Sequence, residues 1–269
     1  MNTQPAKVVI VSGGISGIGQ AITLLLAKRG WRVVAFGLDA PQLGSTAQNG
    51  LHETAGLLQA EGLFADLVEA DVSLACDVGR VVDFTIGRYG RIDALVNNAA
   101  IHPRGTVLTT SEEMWDRVVD VNLKGMFLCA RAAIAHMIVA GGGAIVNIGS
   151  GAGWGKAGLL AYAASKGGVH ALTMALAYDH LHDHVRVNCL VPGGTLTGMT
   201  GTLAVENFSR LASRTASGEV TRPDDVANAC AFLLSDDARQ ISGAVLDVGC
   251  FALQGGPIPE KPERLSSAP

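Results

Sequence analysis

Short apolar runs without polar alternation recur along the chain, and longer segments with helical periodicity lie between them. A strand that is apolar throughout is buried on both faces, which is typical of a parallel sheet covered by helices. The pattern therefore predicts the α/β class and a single-domain, Rossmann-type, doubly wound fold of about seven parallel strands with helices on both faces. Strands are predicted at residues 7–11, 31–36, 67–71, 94–97, 144–149, 185–191 and 245–248. Helices are predicted at 17–28, 77–89, 112–139 and 161–182.

Chain length and net charge indicate how many domains the protein has and what kind of molecule it binds. The 269 residues, 48% of them hydrophobic, suffice for one large core, so we expect one domain over 1–254 and a proline-rich tail over 255–269. A net charge of −4 offers no basic face to nucleic acid or to anionic lipid. No apolar run reaches the roughly 18 residues that span a bilayer, and the N-terminus lacks the apolar region of a signal peptide. We therefore expect a cytoplasmic protein with a small-molecule partner and no membrane contact.

Residues 12–19 read SGGISGIG and join the first predicted strand to the first predicted helix. A chain that turns sharply here while a pyrophosphate approaches its backbone needs glycine, because a Cβ would clash. The following helix N-terminus supplies unpaired N–H groups and the positive end of its dipole. A plain strand-to-helix turn is the alternative reading. The position directly after the first strand favours a nucleotide site.

The glycine spacing, G-x-x-x-G-x-G at Gly13, Gly17 and Gly19, resembles that of the short-chain dehydrogenase/reductase family, classical type. The resemblance extends from residue 7 to about residue 253. Further motifs of the family are ADV at 70–72, NNAA at 97–100, VN at 121–122, IGS at 148–150, YAASK at 162–166 and VPGGTLT at 191–197. The resemblance implies an oxidoreductase that transfers a hydride between a nicotinamide cofactor and a secondary alcohol or ketone.

Tyr162 and Lys166 are four residues apart, so on a helix their side chains share one face. A tyrosine with its ordinary pKa near 10 is too weak a base at neutral pH, and a fixed cation stabilises its phenolate. We expect Lys166, together with the nicotinamide, to lower the pKa of Tyr162 by about 3. The resemblance implies that Tyr162 is the general acid/base, that Ser150 hydrogen-bonds the substrate oxygen, and that Asn122 holds a water linking Lys166 to solvent. The alternatives are an ordinary surface Tyr and Lys, and a loop hydroxyl at Ser150.

The resemblance also implies a set of residues that contact the cofactor. They are Gly13, Ser16, Gly17, Ile18, Gly19, Leu38, Asp39, Asp71, Val72, Asn98, Ala99, Tyr162, Lys166, Pro192, Gly193, Thr195 and Thr197. Asp71 resembles the residue that accepts a hydrogen bond from adenine, and its alternative role is that of a surface turn residue.

The residues at the end of the second predicted strand indicate whether the protein prefers NAD or NADP. Gly37 stands where the family usually has an acid, and Leu38 where phosphate-binding members often carry Arg. Asp39 could turn inward to the ribose or open a turn before Pro41. Because residues 13–19 contain no Lys or Arg and a carboxylate is close by, we predict NAD over NADP, without excluding NADP.

Loops that line the substrate pocket in the family supply the substrate candidates. They are His102, Arg104, Trp154, Leu159, Gly194 and Met199. Arg104 could bind a carboxylate or be a solvated loop residue. The segment 198–218 is predicted to be the substrate lid. The sequence leaves open whether the substrate is a sugar, a cyclic alcohol, a ketoacid or a carrier-bound ketone.

Other possible functions would each require particular residues, which can be looked for in the sequence. A dinucleotide sensor without activity would lack one of the four catalytic candidates, and all four are present. A 3-ketoacyl-carrier reductase using NADPH would carry a basic residue near 16 or 38, where Ser16 and Leu38 stand. His180, His182 and His184 could bind a metal or be solvated near a helix C-terminus, and we predict no metal.

The cysteines and the longest helices complete the expectations. The five cysteines form no C-x-x-C pair, so we expect reduced thiols and neither disulfides nor zinc. Helices 112–139 and 161–182 are apolar on more than one face, which indicates a further covering surface. Together with the resemblance, this predicts a homo-oligomer, specifically a homotetramer.

Overall fold

The computed structural model describes residues 5–39, 50–195, 197, 212, 215 and 217–250. These residues form one sheet of seven parallel strands in the order β3-β2-β1-β4-β5-β6-β7. The strands are β1 (Val8–Ser12), β2 (Arg32–Gly37), β3 (Asp66–Glu69), β4 (Ala94–Asn97), β5 (Gly143–Ile148), β6 (Val185–Pro192) and β7 (Val245–Val248). The helices are α1 (Gly17–Lys28), α2 (Gly50–Ala60), α3 (Ala75–Tyr89), α4 (Glu112–Val119), α5 (Gly125–Val139), α6 (Leu160–Asp179) and α7 (Pro223–Leu234). The predicted doubly wound α/β fold is confirmed.

The sheet is buried on both faces, as its continuous apolar strands require. On one face Ile10, Leu95 and Ile145 belong to a core that includes residues of α3, α5 and α6. On the other face the neighbouring Val9 and Val96 pack with residues of α1 and α7. Successive residues of a strand point to opposite faces, so both sets of side chains must be apolar.

The strand order reverses at β1, which pairs with β2 on one side and with β4 on the other. The connections therefore leave in opposite directions, and a crevice opens outside the carboxyl ends of these strands, where ligands bind in open α/β sheets. The same edge receives the residues that follow β1, β2, β4 and β5.

A chain of buried amides fixes α6 against the sheet. Asn97 Nδ2 donates to Asn147 Oδ1 at 2.9 Å, and Asn147 Nδ2 donates to Thr173 Oγ1 at 3.0 Å. Thr173 in turn donates to the carbonyl oxygen of Val169 at 2.8 Å. Buried polar groups are costly unless paired, so these contacts specify how α6 lies over β4 and β5.

Apart from shifts of up to three residues at the ends of elements, the differences from the predicted elements are these. The helices α2 and α7 were not predicted; α7 begins with Pro223, and Asp225 Oδ2 accepts from the N–H of Arg222 at 2.8 Å. The long predicted helix 112–139 consists of α4 and α5 joined by a π-helical segment, Asp120–Lys124. Strand β3 ends at Glu69 rather than at Asp71, because the Asp71 carboxylate bonds the backbone N–H of Ser73 and forms a turn.

Candidate active site

A cleft lies at the carboxyl ends of β1, β2 and β4 and contains much of the predicted cofactor site. The predicted residues that line it are Gly13, Ser16, Gly17, Ile18, Leu38, Asp39, Asp71, Val72, Asn98, Ala99 and Thr197. Ile15, Phe36, Gly37, Gly50, Ala70, Ala100, Arg117 and Val121 line it as well and were not predicted as site residues.

The glycine-rich loop leaves space for an anionic group at the N-terminus of α1. Gly13 has a φ of +61°, and a Cβ there would lie 2.8 Å from the Cα of Ala99. A Cβ at Gly19 would overlap the carbonyl oxygen of Gly13, so the helix starts directly against the loop. Gly17, at the first position of α1, has a φ of +51°. This cradle fits the pyrophosphate of a dinucleotide.

Ser12 fixes the glycine-rich loop to the end of β4. Its Oγ accepts from the N–H of Asn98 at 3.0 Å and from that of Ala99 at 3.3 Å. Asn98 Nδ2 donates to the carbonyl oxygen of Gly13 at 3.0 Å. Ser12 was not predicted as a site residue, although its place at the end of the first strand is the signal that marks it.

Asp71 belongs to a charged cluster with Ser73 and Arg117. Its Oδ1 accepts from Ser73 N at 2.8 Å and Ser73 Oγ at 2.6 Å, and its Oδ2 accepts from Arg117 Nη2 at 3.2 Å. Burial acts to raise the pKa of Asp71, but the Ser73 hydrogen bonds and Arg117 outweigh it, so the net shift is downward. Arg117 was not predicted; it lies four residues before Val121 and thus on the helix face that meets the cleft.

Asp39 comes to the cleft, where its ribose contact stays a prediction, and the turn before Pro41 that was its alternative lies outside the described residues. Its side chain lines the cleft, while its Oδ1 accepts from the N–H of Leu51 at 3.0 Å in the first turn of α2. The carboxylate is therefore held in place by the helix and stands beside Gly37 and Leu38 at the end of β2.

Tyr162 and Lys166 lie buried on one face of α6. Lys166 Nζ is 5.8 Å from the centroid of the Tyr162 ring and donates to the carbonyl oxygen of Ile148 at 2.7 Å. Ser150 follows the end of β5, and its Oγ accepts from the N–H of Ala152 at 3.2 Å at the start of a 3₁₀ turn, Gly151–Trp154.

The pKa values in this cluster are set mainly by burial. Burial lowers the pKa of Lys166 to about 8. It raises the pKa of the Tyr162 phenol, against which a hydrogen bond with Ser150 acts. In the protein without a cofactor, removing the phenol from water outweighs the effect of Ser150 on the pKa of Tyr162. The lowering expected from Lys166 and the nicotinamide together stays a prediction.

Asn122 lies in the π-helical segment, and such segments are frequent at functional sites. Its Oδ1 accepts from the N–H of Ile101 at 2.8 Å, and its Nδ2 donates to the carbonyl oxygen of Ile101 at 2.9 Å and to Ser165 Oγ at 3.1 Å. The side chain thus ties the loop after β4 to α6. Its link to Lys166 through water stays a prediction.

The substrate candidates fall into separate groups. His102 packs edge-on against Tyr162, with ring centroids 4.4 Å apart, and Leu159 packs against Tyr162 as well. Trp154 instead packs against His170, with centroids 4.7 Å apart. Arg104 is exposed. Gly194 follows β6, and Met199 lies outside the described residues, as does most of the predicted lid.

His170 was not predicted and lies one turn after Lys166 on α6. It is 8% exposed, and its Nε2 has no hydrogen-bond partner among the described residues. Burial and the charge of Lys166 both lower its pKa. A Cβ at Gly149 or Gly153 would meet this ring, so His170 packs beneath the loop that carries Ser150.

The end of β6 holds the remaining cofactor candidates. Thr195 Oγ1 donates to the carbonyl oxygen of Gly193 at 3.1 Å, and a Cβ at Gly193 would lie 2.7 Å from Thr221 Oγ1. Thr197 lines the cleft beside Gly17, whereas Pro192, Gly193 and Thr195 do not line it. Gly19 supports the loop from within α1.

Other predictions concern metals, thiols and membranes. Over the described ranges, no three His, Cys, Asp or Glu side chains are grouped so that they could hold a metal ion. His180 Nδ1 lies 2.8 Å from Asp183 Oδ2. The five cysteines are free thiols, and Cys129, Cys189 and Cys230 are buried. Within the part of the chain that the structure describes, no helix is long and apolar enough to cross a membrane.

Known proteins resemble this chain over most of its length. A family model described as enoyl-(acyl carrier protein) reductase matches residues 13–250. The chain is 37% identical to (2S)-((R)-hydroxy(phenyl)methyl)succinyl-CoA dehydrogenase subunit BbsD of Thauera aromatica over 242 residues, which are 90% of this chain and 94% of that one. It is 36% identical to the 3-oxoacyl-(acyl-carrier-protein) reductase FabG of Thermotoga maritima over 245 residues, which are 90% of this chain and 96% of that one.

A solved structure shares the fold. The actinorhodin polyketide ketoreductase with NADPH superposes with a TM-score of 0.85 at 31% sequence identity, covering 95% of this chain and 100% of that one. The family model, these relatives and the seven-stranded sheet together show that the chain belongs to the short-chain dehydrogenase/reductase family, as an oxidoreductase that transfers a hydride between a nicotinamide cofactor and a secondary alcohol or ketone.

Proposed function

We propose that Tyr162, Ser150, Lys166 and Asn122 are the catalytic residues of this oxidoreductase. The observation that carries the proposal is the buried pair on α6, Tyr162 with Lys166 Nζ 5.8 Å from its ring, together with Ser150, which acts on the pKa of the phenol. A nicotinamide cofactor supplies or accepts the hydride when it is bound.

The protonation state of Tyr162 determines whether it can donate or accept a proton. Burial raises its pKa, so the neutral phenol that can donate a proton to a ketone oxygen is the prevailing form. The Ser150 hydroxyl hydrogen-bonds the same oxygen and orients it. The charged form of Lys166 stabilises the phenolate that remains after donation. In alcohol oxidation the phenolate of Tyr162 removes the proton from the hydroxyl of the substrate.

The test removes the acid/base oxygen alone. We expect Tyr162→Phe to lower kcat roughly 10²- to 10⁴-fold, while the cofactor dissociation constant stays nearly unchanged, because only the proton path is lost. Tyr178→Phe is the matched control, since it removes a hydroxyl from the same helix outside the catalytic cluster and keeps the ring. Near-normal turnover of the Tyr162 variant would show that the assigned mechanism is wrong.

We propose NAD as the preferred cofactor. The end of β2 presents Gly37, Leu38 and Asp39 to the cleft, and a carboxylate there favours a ribose 2′-hydroxyl and repels a 2′-phosphate. Arg117 is the one Lys or Arg among the cleft-lining residues that the structure describes, and Asp71 and Ser73 bind its guanidinium.

An NADPH-dependent 3-ketoacyl-carrier reductase is the second candidate function. The observations that favour it are the reductase of Thermotoga maritima and the NADPH-bound ketoreductase among the similar proteins. This candidate requires a cation that can reach a 2′-phosphate, and the positions that would supply it hold Ser16 and Leu38.

The cofactor assignment is tested with both nicotinamides. We expect a higher kcat/KM with NAD, and Asp39→Asn should reduce the ratio, because an amide keeps the cap on α2 but removes the charge. Asp39→Ala removes both, so the difference between the two variants measures the cap alone. A wild-type preference for NADP would overturn the assignment. An equal ratio in all three proteins would remove Asp39 from the cofactor site.

We also propose that the protein works in the cytoplasm as a homotetramer. Free thiols at all five cysteines and exposed apolar side chains on α5 and α6 support this.

A further inference from the structure

Two loops meet beside the candidate active site. One runs from β4 to α4 over residues 98–111, and the other runs from β5 to α6 over residues 149–159. Gly105 N donates to the carbonyl oxygen of Gly158 at 2.9 Å, and Leu160 N donates to that of Gly105 at 3.1 Å. The junction fixes Arg104, the neighbour of Gly105, next to the loop that carries Lys156.

The positive charges of Arg104 and Lys156 affect His102, which lies in the candidate active site. His102 packs against the ring of Tyr162 at 4.4 Å between centroids. Burial lowers the pKa of His102, and the positive charges of Arg104 and Lys156 lower it further. Two positive charges on the joined loops therefore act on a ring that touches the proposed acid/base.

Neither cation has a structural use in the described part of the molecule. Arg104 and Lys156 are exposed, and no hydrogen bond or ion pair joins their side chains to another described residue. The two loops contain no Asp or Glu, although the whole chain carries a net charge of −4. Like charges close together repel each other, so this pair is not explained by stability.

We propose that Arg104 and Lys156, here called the cationic rim, bind an anionic group carried by the alcohol or ketone substrate at a distance from its reacting carbon. The inference rests on the proposed function, because Tyr162 defines where the reacting carbon lies. A guanidinium matches the two oxygens of a carboxylate or phosphate, and an ammonium adds a point charge. The anion is the carboxylate of a small ketoacid or the phosphate of an acyl carrier.

The experiment compares ketones that differ only in charge. A panel of linear and cyclic ketoacids is assayed beside the methyl ester of each, and acetoacetyl-CoA represents the carrier-bound phosphate. We expect wild-type kcat/KM to favour acid over ester by about tenfold or more. Arg104→Gln and Lys156→Gln should each raise KM for the acid about tenfold, with kcat and the ester unchanged.

The control is Arg239→Gln, which removes one exposed positive charge near the opposite edge of the sheet. It should leave every KM unchanged. The preference for acids should also weaken with added salt, because the rim is exposed.

The outcomes separate the two proposals. If the rim variants raise KM for acetoacetyl-CoA and not for the ketoacids, the rim stands and its anion is the carrier phosphate. If wild type uses acids, esters and acetoacetyl-CoA equally well, or if the rim variants change none of these KM values, the rim proposal is overturned and the reductase activity stands. If no ketone of the panel is reduced with either nicotinamide, the proposed function fails and the rim proposal with it.

Discussion

Lys166 shows at the scale of one residue how the candidate site costs stability. Its pKa falls from an ordinary value of 10.5 to about 8 through burial, which corresponds to about 3 kcal/mol. Below pH 8 the lysine is charged in both the folded and the unfolded chain, so the folded protein carries this full cost. Between pH 8 and 10.5 the folded chain releases the proton first, and stability rises with pH.

A substitution should reveal this cost. We expect Lys166→Met to raise the free energy of unfolding at pH 7 by about 1–2 kcal/mol, because the gain from removing the buried charge exceeds the roughly 1 kcal/mol lost with the bond to Ile148. The gain should shrink at pH 10. Urea unfolding at both values measures it, with the exposed Lys124→Met as control. A less stable variant at pH 7 would contradict the interpretation.

The residues that could be predicted from the sequence are those whose chemistry depends on local spacing. Tyr162 and Lys166 share one helix turn, and the glycines of the loop follow one strand, so the pattern alone brings them together. Arg117 and His170 could not be found in this way. Arg117 gains its role from Asp71 and Ser73 on a distant loop, which only the folded chain brings near.

At the scale of elements, the start of α1 depends on the absence of one side chain. We expect Gly19→Ala to weaken cofactor binding at least about tenfold and to destabilise the protein by about 1–3 kcal/mol, because the added Cβ would overlap the Gly13 carbonyl oxygen. Fluorescence titration with NADH and urea unfolding measure the two effects.

The matched control is a glycine with open space around it. Gly79 lies inside α3, and a Cβ there would meet nothing within 4 Å. Gly79→Ala should therefore stabilise the protein by about 0.5–1 kcal/mol and leave cofactor binding unchanged. Equal effects of the two substitutions would show that the space at Gly19 does not matter.

The elements that sequence patterns predict well are those with a continuous apolar signal. The seven strands were predicted to within a few residues at each end, because each is buried on both faces. Helix α2 follows a polar segment and has a weak apolar stripe, with Gly50, Thr54 and Leu58 buried. The π-helical segment leaves no mark in hydrophobic periodicity, because it extends a helix that the pattern already predicts.

For the whole molecule, apolar surface on α5 and α6 indicates association. Phe127, Val139, Met174 and Tyr178 are exposed large side chains on these helices, with Val139 at 89% and Tyr178 at 82%. We expect light scattering at micromolar concentration to give the mass of a tetramer, and the double variant Met174→Glu, Tyr178→Glu to give a smaller one. The control is Phe64→Glu, an exposed apolar residue elsewhere. A monomeric wild type would count decisively against the prediction.

Because β1 lies in the middle of the sheet, both of its edges can be paired only after later strands have been synthesised. This strand is synthesised before the other six of its sheet, yet one of its two neighbours is β4, which ends at residue 97. Until residue 97 has been added, β1 cannot pair with β4, and one edge of this apolar strand stays unpaired. The strands β5, β6 and β7 can join the sheet only after β4. We therefore expect the incomplete chain to aggregate more readily than the finished protein, and the rate at which the segment between β1 and β4 is translated then affects the yield of folded enzyme.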